Sequence, residues 1–173
     1  MPLHFIAWEK ALKGWECGFT EKLFYQWAGT PVVQVIEKLN LIHGLSIPAQ
    51  QISDLREKHY FEVLSEVRGI PEVVAHVDGA FGKLPLAVVS GSPRDSVCKT
   101  LGHLGLLDRF ETIVGAEDCV QGKPSPEGFL LAAQRLNVEP SRCLVFEDAD
   151  FGIQAAESAG MKWVRVPHPW ERA

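Results

Sequence analysis

The sequence predicts an α/β protein in which an N-terminal helical part precedes a doubly wound parallel sheet. Residues 1–82 carry apolar side chains at helical spacing. From residue 83 onward, short apolar runs typical of strands alternate with helix-like segments, which is the pattern of right-handed βαβ units. We therefore predict two domains, a helical domain at 1–82 and an α/β core at 83–173.

Glycine and proline residues divide the N-terminal region into separate predicted helices. The first covers 5–15 and ends at Gly18, and a later one opens at Pro31 and runs through residue 39. An amphipathic helix is predicted at 53–67, and a short helix at 71–81 follows it. The residues predicted to face inward from the amphipathic helix are Leu55, Tyr60, Phe61 and Leu64.

Four short apolar runs are the predicted strands of the core. They lie at 84–89, 112–115, 143–146 and 162–166, with helices that end at His103 and Leu136. The run at 143–146, Cys-Leu-Val-Phe, has the composition of a strand buried on both faces. Because ligands bind beyond the carboxyl ends of parallel strands, we expect the residues that follow these strands to share a cleft.

The overall composition excludes several classes of function. A net charge of -5 argues against nucleic acid as the main partner. No apolar run reaches the length of a membrane span, and the first residues lack the pattern of a signal peptide, so we expect a cytoplasmic protein. The 4 cysteines are scattered without metal-binding spacing, which favours free thiols in a reducing compartment.

Polar residues follow the first predicted strand. Ser90 offers a hydroxyl group, and the amides of Gly91 and Ser92 stand at a predicted helix start, where anions bind. An ordinary helix cap explains Ser92 but leaves Ser90 and Gly91 unexplained. The sequence therefore indicates an anion site after this strand.

Charged residues occupy two further loops. Lys123 lies in the segment Gly-Lys-Pro-Ser-Pro at 122–126, whose prolines restrict where the lysine can point. Such a lysine can neutralise a phosphoryl group, although most loop lysines are simply solvated. Glu147 and Asp148 end the third strand, and two adjacent carboxylates favour a hard cation such as Mg²⁺ between them. The alternative is that they only cap the next helix.

These three segments resemble the second, third and fourth motifs of the haloacid dehalogenase (HAD) superfamily in order and spacing. The segments are 90–92, 122–126 and 146–153. Within the superfamily, the chain is most similar to the β-phosphoglucomutase-like sugar phosphatases over nearly its whole length. The resemblance implies a Rossmann-like core with a helical cap, and Mg²⁺-dependent hydrolysis of a small phosphorylated sugar through a phospho-aspartyl intermediate.

The resemblance also implies roles for individual residues. Ser90 and Lys123 would act on the phosphoryl group as catalytic residues. Gly91 and Ser92 would join Ser90 and Lys123 in binding phosphate, while Glu147 and Asp148 would hold Mg²⁺. No membrane or nucleic-acid partner is implied.

The resemblance gives the helical cap the task of selecting the substrate. His4 would contact the substrate from the cap hinge, or else serve only packing. Lys58 or His59 could face the cleft, although a solvated lysine is the simpler interpretation. Val32 stands where the mutase has an arginine for a second phosphate, which favours a phosphatase over a mutase.

One element of the family pattern is missing from these 173 residues. Members of the family carry a first motif, Asp-x-Asp-Gly-Thr, whose first aspartate attacks phosphorus, at the end of a central strand. This sequence resembles a member that starts about 20 residues late, so we predict that the chain as written is inactive. In the family that strand lies between the strands ending at Ser90 and Glu147, and its absence would leave two strand edges unpaired.

Three interpretations stay open at this stage. The chain is a sugar phosphatase without its first strand, a non-catalytic protein that binds phosphate, Mg²⁺ or a partner, or a β-phosphoglucomutase. We expect the gap in the sheet to close, to accept a strand from a partner in a homo-oligomer, or to leave the chain poorly stable.

Overall fold

The computed structural model describes residues 2–168 and residue 171. Eight α-helices and four strands follow one another along these residues, helices first and then alternating strands and helices. The helices are α1 Pro2–Ala11, α2 Glu21–Gln26, α3 Val32–His43, α4 Ala49–Glu62, α5 Pro71–Ala80, α6 Arg94–His103, α7 Glu127–Arg135 and α8 Asp150–Ser158. The strands are β1 Ala87–Val89, β2 Thr112–Val114, β3 Leu144–Glu147 and β4 Lys162–Arg165.

The N-terminal helices α1 to α4 pack around an apolar core. Trp8 on α1 and Phe24 on α2 meet Ile36 and Leu39 of α3, and the last two are completely buried. The helices end at different residues from those expected. The helix α1 stops at Ala11, before a turn in which Gly14 adopts a φ of 95°.

The observed buried face of α4 differs from the inward face predicted for this helix. It starts at Ala49, four residues earlier than predicted, and its buried residues are Ile52, Ser53, Arg56 and Tyr60. Of the predicted inward residues, Tyr60 is buried but Leu55 is 36% exposed. The buried face contains a serine and an arginine, so a prediction based on the apolar residues alone selects the wrong side of the helix as the buried face.

The four strands form two separate parallel sheets of two strands each. In one sheet β1 pairs with β2, so that Val88 lies beside Ile113, and in the other β3 pairs with β4, so that Val145 lies beside Trp163. The helices α7 and α8 cover one face, where Phe129, Val145 and Ala155 form a shared core. The gap expected between the strands that end at Ser90 and Glu147 is therefore not closed by direct pairing.

The strand β3 is less buried than its composition predicts. Val145 faces the helices and is buried, whereas Leu144 points to the other side and is 54% exposed. The neighbouring Val164 of β4 is 41% exposed on the same side, and Phe146 is half-buried against His76 of α5. The expectation of burial on both faces is wrong for this strand because only one face has a full helical cover.

Candidate active site

A cavity of about 330 Å³ lies between the N-terminal helices and the carboxyl ends of β1 and β3. The expected shared cleft therefore exists, although the strands belong to two sheets. All seven residues to which the resemblance assigns a role in catalysis, ligand binding or metal binding line this cavity. They are His4, Ser90, Gly91, Ser92, Lys123, Glu147 and Asp148.

The loop after β1 holds Ser90 in a fixed position. The Ser90 amide donates to the Val114 carbonyl at 2.9 Å, which extends the β1–β2 ladder. The Ser90 hydroxyl accepts a hydrogen bond from the Ser92 amide at 3.1 Å. The hydroxyl proton of Ser90 is then available to an acceptor in the cavity.

The predicted helix cap at Ser92 is wrong. The cap position of α6 is Pro93, which provides no side-chain hydrogen bond. The Arg94 amide instead donates to both carboxylate oxygens of Glu117 at 3.0 and 3.1 Å. A carboxylate from a distant loop already occupies the start of α6, so the groups of this loop that remain for a ligand are the Ser90 hydroxyl and the Gly91 backbone.

Lys123 and Glu147 form a nearly buried ion pair. The Lys123 Nζ lies 2.7 Å from Glu147 Oε2, and the two side chains are 10% and 11% exposed. The same Nζ lies 3.4 Å from the Val89 carbonyl oxygen and stands over the Phe129 ring. Lys123 therefore links the carboxyl ends of β1 and β3.

Two carboxylates, Glu147 and Asp148, and one cation, Lys123, line this end of the cavity. Burial, followed by the neighbouring charge of Glu147, raises the pKa of Asp148 above its usual value. A phosphate brought to this place would meet more negative than positive charge, so a divalent cation would stabilise the arrangement. Among the described residues no group of three or more His, Cys, Asp or Glu side chains could hold a metal alone. One or two carboxylates with substrate oxygens and water are, however, the usual environment of Mg²⁺.

His4 is held by Arg56, a residue that the sequence reasoning does not select. Arg56 Nη2 lies 2.5 Å from His4 Nδ1, and the His4 ring stacks on Tyr60 with centroids 4.0 Å apart. Burial, and then the charge of Arg56, lower the pKa of His4 well below its usual value. The His4 ring is therefore neutral and accepts from Arg56 at Nδ1, which leaves Nε2–H as its donor.

Two residues that line the cavity carry a buried polar atom without a hydrogen-bond partner among the described residues. These atoms are the Arg56 Nε and the Thr30 hydroxyl oxygen, on residues that are 4% and 8% exposed. Thr30 lies in the turn before α3, and Arg56 lies on α4. Lys58 is exposed and neither Lys58 nor His59 lines the cavity, so the cation on the cap side is Arg56.

Glycines allow the turn at residues 29–31, which we call the cap turn, to contact the loops of the α/β core. A Cβ atom on Gly91 would lie 2.5 Å from the Gly29 carbonyl oxygen, and one on Gly29 would lie 2.8 Å from Lys123 Cδ. A Cβ on Gly122 would overlap the Pro31 ring. The turn at 29–31 therefore packs directly on both core loops beside the cavity.

Comparison with known proteins agrees with this fold. The family model for haloacid dehalogenase-like hydrolases matches residues 2–160. Fructose-1-phosphate phosphatase YqaB of Escherichia coli is 34% identical over 166 residues, which are 95% of this chain and 88% of that protein. The chain therefore belongs to the haloacid dehalogenase-like hydrolase family.

Further relatives place the chain in the β-phosphoglucomutase-like branch of this family. Phosphorylated carbohydrates phosphatase of Thermotoga maritima is 29% identical over a match that covers 93% of this chain and 76% of that protein. The crystal structure of β-phosphoglucomutase from Clostridium difficile has a TM-score of 0.80 at 25% identity, covering 98% of this chain and 79% of that one. Among the residues described, no helix is long and apolar enough to cross a membrane.

Proposed function

We propose that the cavity binds a small phosphorylated sugar and that its chemistry is Mg²⁺-dependent hydrolysis of a phosphate monoester. The observation that carries the proposal is the convergence of two kinds of group on one cavity. Ser90, Lys123 and Asp148 line the end beside the strands, while Thr30 and Arg56 line the cap side. The two relatives named for their activity act, by name, on fructose 1-phosphate and on phosphorylated carbohydrates.

The phosphoryl group would sit between Ser90 and Lys123. The Ser90 hydroxyl donates to a phosphoryl oxygen, and Lys123 supplies positive charge from a nearly buried position. Glu147 and Asp148 would hold Mg²⁺, which neutralises the remaining negative charge on the phosphate. Gly91 and Ser92 contribute the backbone beside Ser90.

The sugar would face the cap. Thr30 and Arg56 line the cavity, and their unpartnered hydroxyl and Nε atoms lie just beneath its surface. A small displacement of these side chains on binding would let sugar hydroxyl groups supply the missing hydrogen bonds, whose absence destabilises the empty site. His4 presents Nε2–H at the same cavity. With the predicted division into a cap at 1–82 and a core at 83–173, the cap would contact the sugar and the core would contact the phosphate.

Hydrolysis is favoured over mutase chemistry by the charges on the cap side. Val32, which is 7% exposed and lines the cavity, offers no charge to a second phosphate. Arg56 brings a guanidinium group, but its charge is compensated by the adjacent Glu57 carboxylate. A neutral sugar end fits this balance better than a second phosphate does.

The 173 residues hold no Asp-x-Asp-Gly-Thr motif, and we propose that they bind the ligand without turning it over. Of the two cavity carboxylates, Glu147 is engaged by Lys123, and both Glu147 and Asp148 are assigned to the cation. Neither is then left to attack phosphorus as a nucleophile. The non-catalytic alternative drawn from the sequence makes the same prediction for this chain, so binding is the property to test first.

Isothermal titration with fructose 1-phosphate, inorganic phosphate and fructose, each with and without Mg²⁺, tests the proposal. We expect fructose 1-phosphate to bind most tightly and only with Mg²⁺ present. Lys123→Met should weaken binding about tenfold or more, corresponding to one lost charge-assisted contact. Lys58→Met is the matched control because Lys58 is an exposed lysine on the cap, and it should leave binding unchanged.

A second substitution separates sugar recognition from phosphate recognition. Thr30→Val keeps the shape of a side chain whose hydroxyl has no partner in the described structure, so the fold should tolerate it. The substitution should weaken the binding of fructose 1-phosphate about fivefold and leave the binding of inorganic phosphate unchanged. Equal binding of sugar phosphate and inorganic phosphate by every variant would refute the sugar assignment. Release of phosphate by the pure chain would refute the predicted inactivity.

A further inference from the structure

We propose that Glu57 makes the cavity select ligands with a single phosphate group, because it neutralises the cation that the N-terminal helices present to the ligand. The inference rests on the proposed function and deepens it by naming the residue that decides between a sugar monophosphate and a sugar bisphosphate. Glu57 is not among the described residues that line the cavity. It acts through Arg56, and it is therefore a positioning residue.

Arg56 is the cation on the cap side of the cavity. Among the described residues that line the cavity, it is the one charged side chain from helices α1 to α4, since His4 is neutral. Its Nε atom has no hydrogen-bond partner within the described structure. A guanidinium group stays protonated in proteins, so the positive charge is permanent. An uncompensated Arg56 would therefore attract a second phosphate group.

Both carboxylate oxygens of Glu57 are engaged, which fixes the carboxylate against Arg56. One oxygen accepts from Arg56 Nη1, and the other accepts from the hydroxyl group of Ser96 on α6. The Arg56 and Glu57 side chains are 5% and 14% exposed, so solvent and salt screen the pair weakly. A carboxylate held in contact with the guanidinium group cancels most of its field at the ligand.

The other groups around the pair do not change this balance. Asp95 and Lys99 of α6 act electrostatically on Glu57, but they form their own ion pair at 2.6 Å. On the other side of Arg56, the His4 Nδ1 atom accepts from Nη2 at 2.5 Å and brings no charge. The charge that Arg56 presents to the cavity therefore depends chiefly on Glu57.

The remaining cap side suits hydroxyl groups better than a second phosphate. Trp8, Phe24 and Val32 line it with apolar surface. A phosphate there would lose its hydration, and a neutral ion pair offers little to offset that loss. A hydroxyl end of the ligand needs only hydrogen bonds, which Thr30 and Arg56 Nε are able to supply.

Isothermal titration of Glu57→Gln with fructose 1-phosphate and fructose 1,6-bisphosphate, both with Mg²⁺, tests the proposal. Glutamine keeps the shape of the side chain and can still bond to Ser96, but it removes the charge. The original chain should bind the monophosphate more tightly than the bisphosphate. In Glu57→Gln, the ratio of the bisphosphate affinity to the monophosphate affinity should rise about tenfold or more.

Two controls separate the charge of Glu57 from its contact with α6. Ser96→Ala removes the hydrogen bond to Glu57 but keeps both charges, so the affinity ratio should stay at its original value. Glu62→Gln removes a carboxylate from the exposed side of α4, where it pairs with Lys10 and His59, and it should also leave the ratio unchanged. If Glu57 had only a structural role, Ser96→Ala and Glu57→Gln would behave alike.

A double variant keeps the test decisive if Glu57→Gln fails to fold, since Arg56 would then be buried without its partner. Arg56→Met combined with Glu57→Gln removes both charges together, which a protein interior tolerates better. Because the pair is neutral in the original chain, the double variant should keep the original affinity ratio to within about threefold. A fall of about tenfold would mean that the charge of Arg56 reaches the ligand in spite of Glu57.

Four results would overturn the proposal. They are tighter binding of the bisphosphate by the original chain, an unchanged ratio in folded Glu57→Gln, an equal change in Ser96→Ala, and a tenfold fall in the double variant. If the original chain binds fructose 1-phosphate, each of these results leaves the proposed function standing. If the original chain binds neither ester, the proposed function itself is refuted and this inference is refuted with it.

Discussion

Removal of the Lys123 charge should destabilise the protein because Glu147 would remain buried without its partner. The two groups are 2.7 Å apart, and at an effective dielectric constant of about 20 their attraction is about 6 kcal/mol before desolvation is subtracted. Breaking a buried pair from one side typically costs about 3 to 5 kcal/mol. Since both side chains keep about a tenth of their surface exposed, we expect the lower end, about 3 kcal/mol, for Lys123→Met.

A double-mutant cycle isolates the interaction. Lys123→Met, Glu147→Gln and the double variant would be compared by urea unfolding, with ligand absent. The double variant should be less destabilised than the sum of the single variants by about 1 to 3 kcal/mol, since the second change removes the unpaired charge left by the first. If the two effects add to within about 0.5 kcal/mol, the pair is not coupled and the reasoning is wrong.

Two further predictions concern acid stability and the cap turn. The hydrogen bond from Arg135 is the main cause that lowers the pKa of Asp118 to about 2. Asp118 therefore stabilises the fold above its unfolded pKa, and this contribution is lost as pH falls from about 4 to 2. In urea denaturation at pH 7, Asp118→Asn should lower the free energy of unfolding by about 2 kcal/mol. Gly122→Ala should displace Pro31, because the added Cβ overlaps the Pro31 ring, and titration should show that fructose 1-phosphate binds about tenfold more weakly.

Both predictions have internal controls. For Asp118→Asn, the loss should shrink at pH 2 because the aspartate of the folded protein is then about half protonated, and a loss that is independent of pH would contradict the ion-pair explanation. For the cap turn, Gly102→Ala is the matched change. A Cβ at Gly102 meets nothing within 4 Å, and alanine is favoured in the helix, so ligand binding should not change.

The strand ends of the site could be predicted from the sequence because local patterns encode them. Ser90 and Glu147 lie at the ends of short apolar runs, and Lys123 lies in a loop stiffened by prolines. Each of these signals extends over a few residues. The carboxyl-end rule for parallel strands then brings these residues together without knowledge of the full packing.

The cap side could not be predicted in the same way. Arg56 is buried because Glu57 compensates its charge and His4 accepts from it, and His4 is 52 residues away in the sequence. A charged residue on an amphipathic helix ordinarily indicates the solvent face, so the apolar pattern places Leu55 inward instead. A polar residue buried by distant partners has no local signature.

The same reason explains the wrong cap of α6. Ser92 followed by proline is a typical helix start, but the amide that it should satisfy bonds to Glu117, which lies 23 residues further on than Arg94. The family pattern does predict an unpaired gap between the strands, and the structure divides them into two sheets at that place. The exposure of Leu144 follows from the incomplete helical cover on its face of the sheet, and the apolar run at 143–146 gives no sign of that.

The contact between Gly29 and Gly91 has a consequence for how the turn at 29–31 can move. Main chain meets main chain there, without an intervening side chain that could rotate out of the way. Any separation of this turn from the loop after β1 would therefore displace the segment 29–31 as a unit, with its φ and ψ changes absorbed by flanking residues. Such a backbone displacement belongs to the microsecond to millisecond scale of loop opening rather than to the faster scale of side-chain rotation.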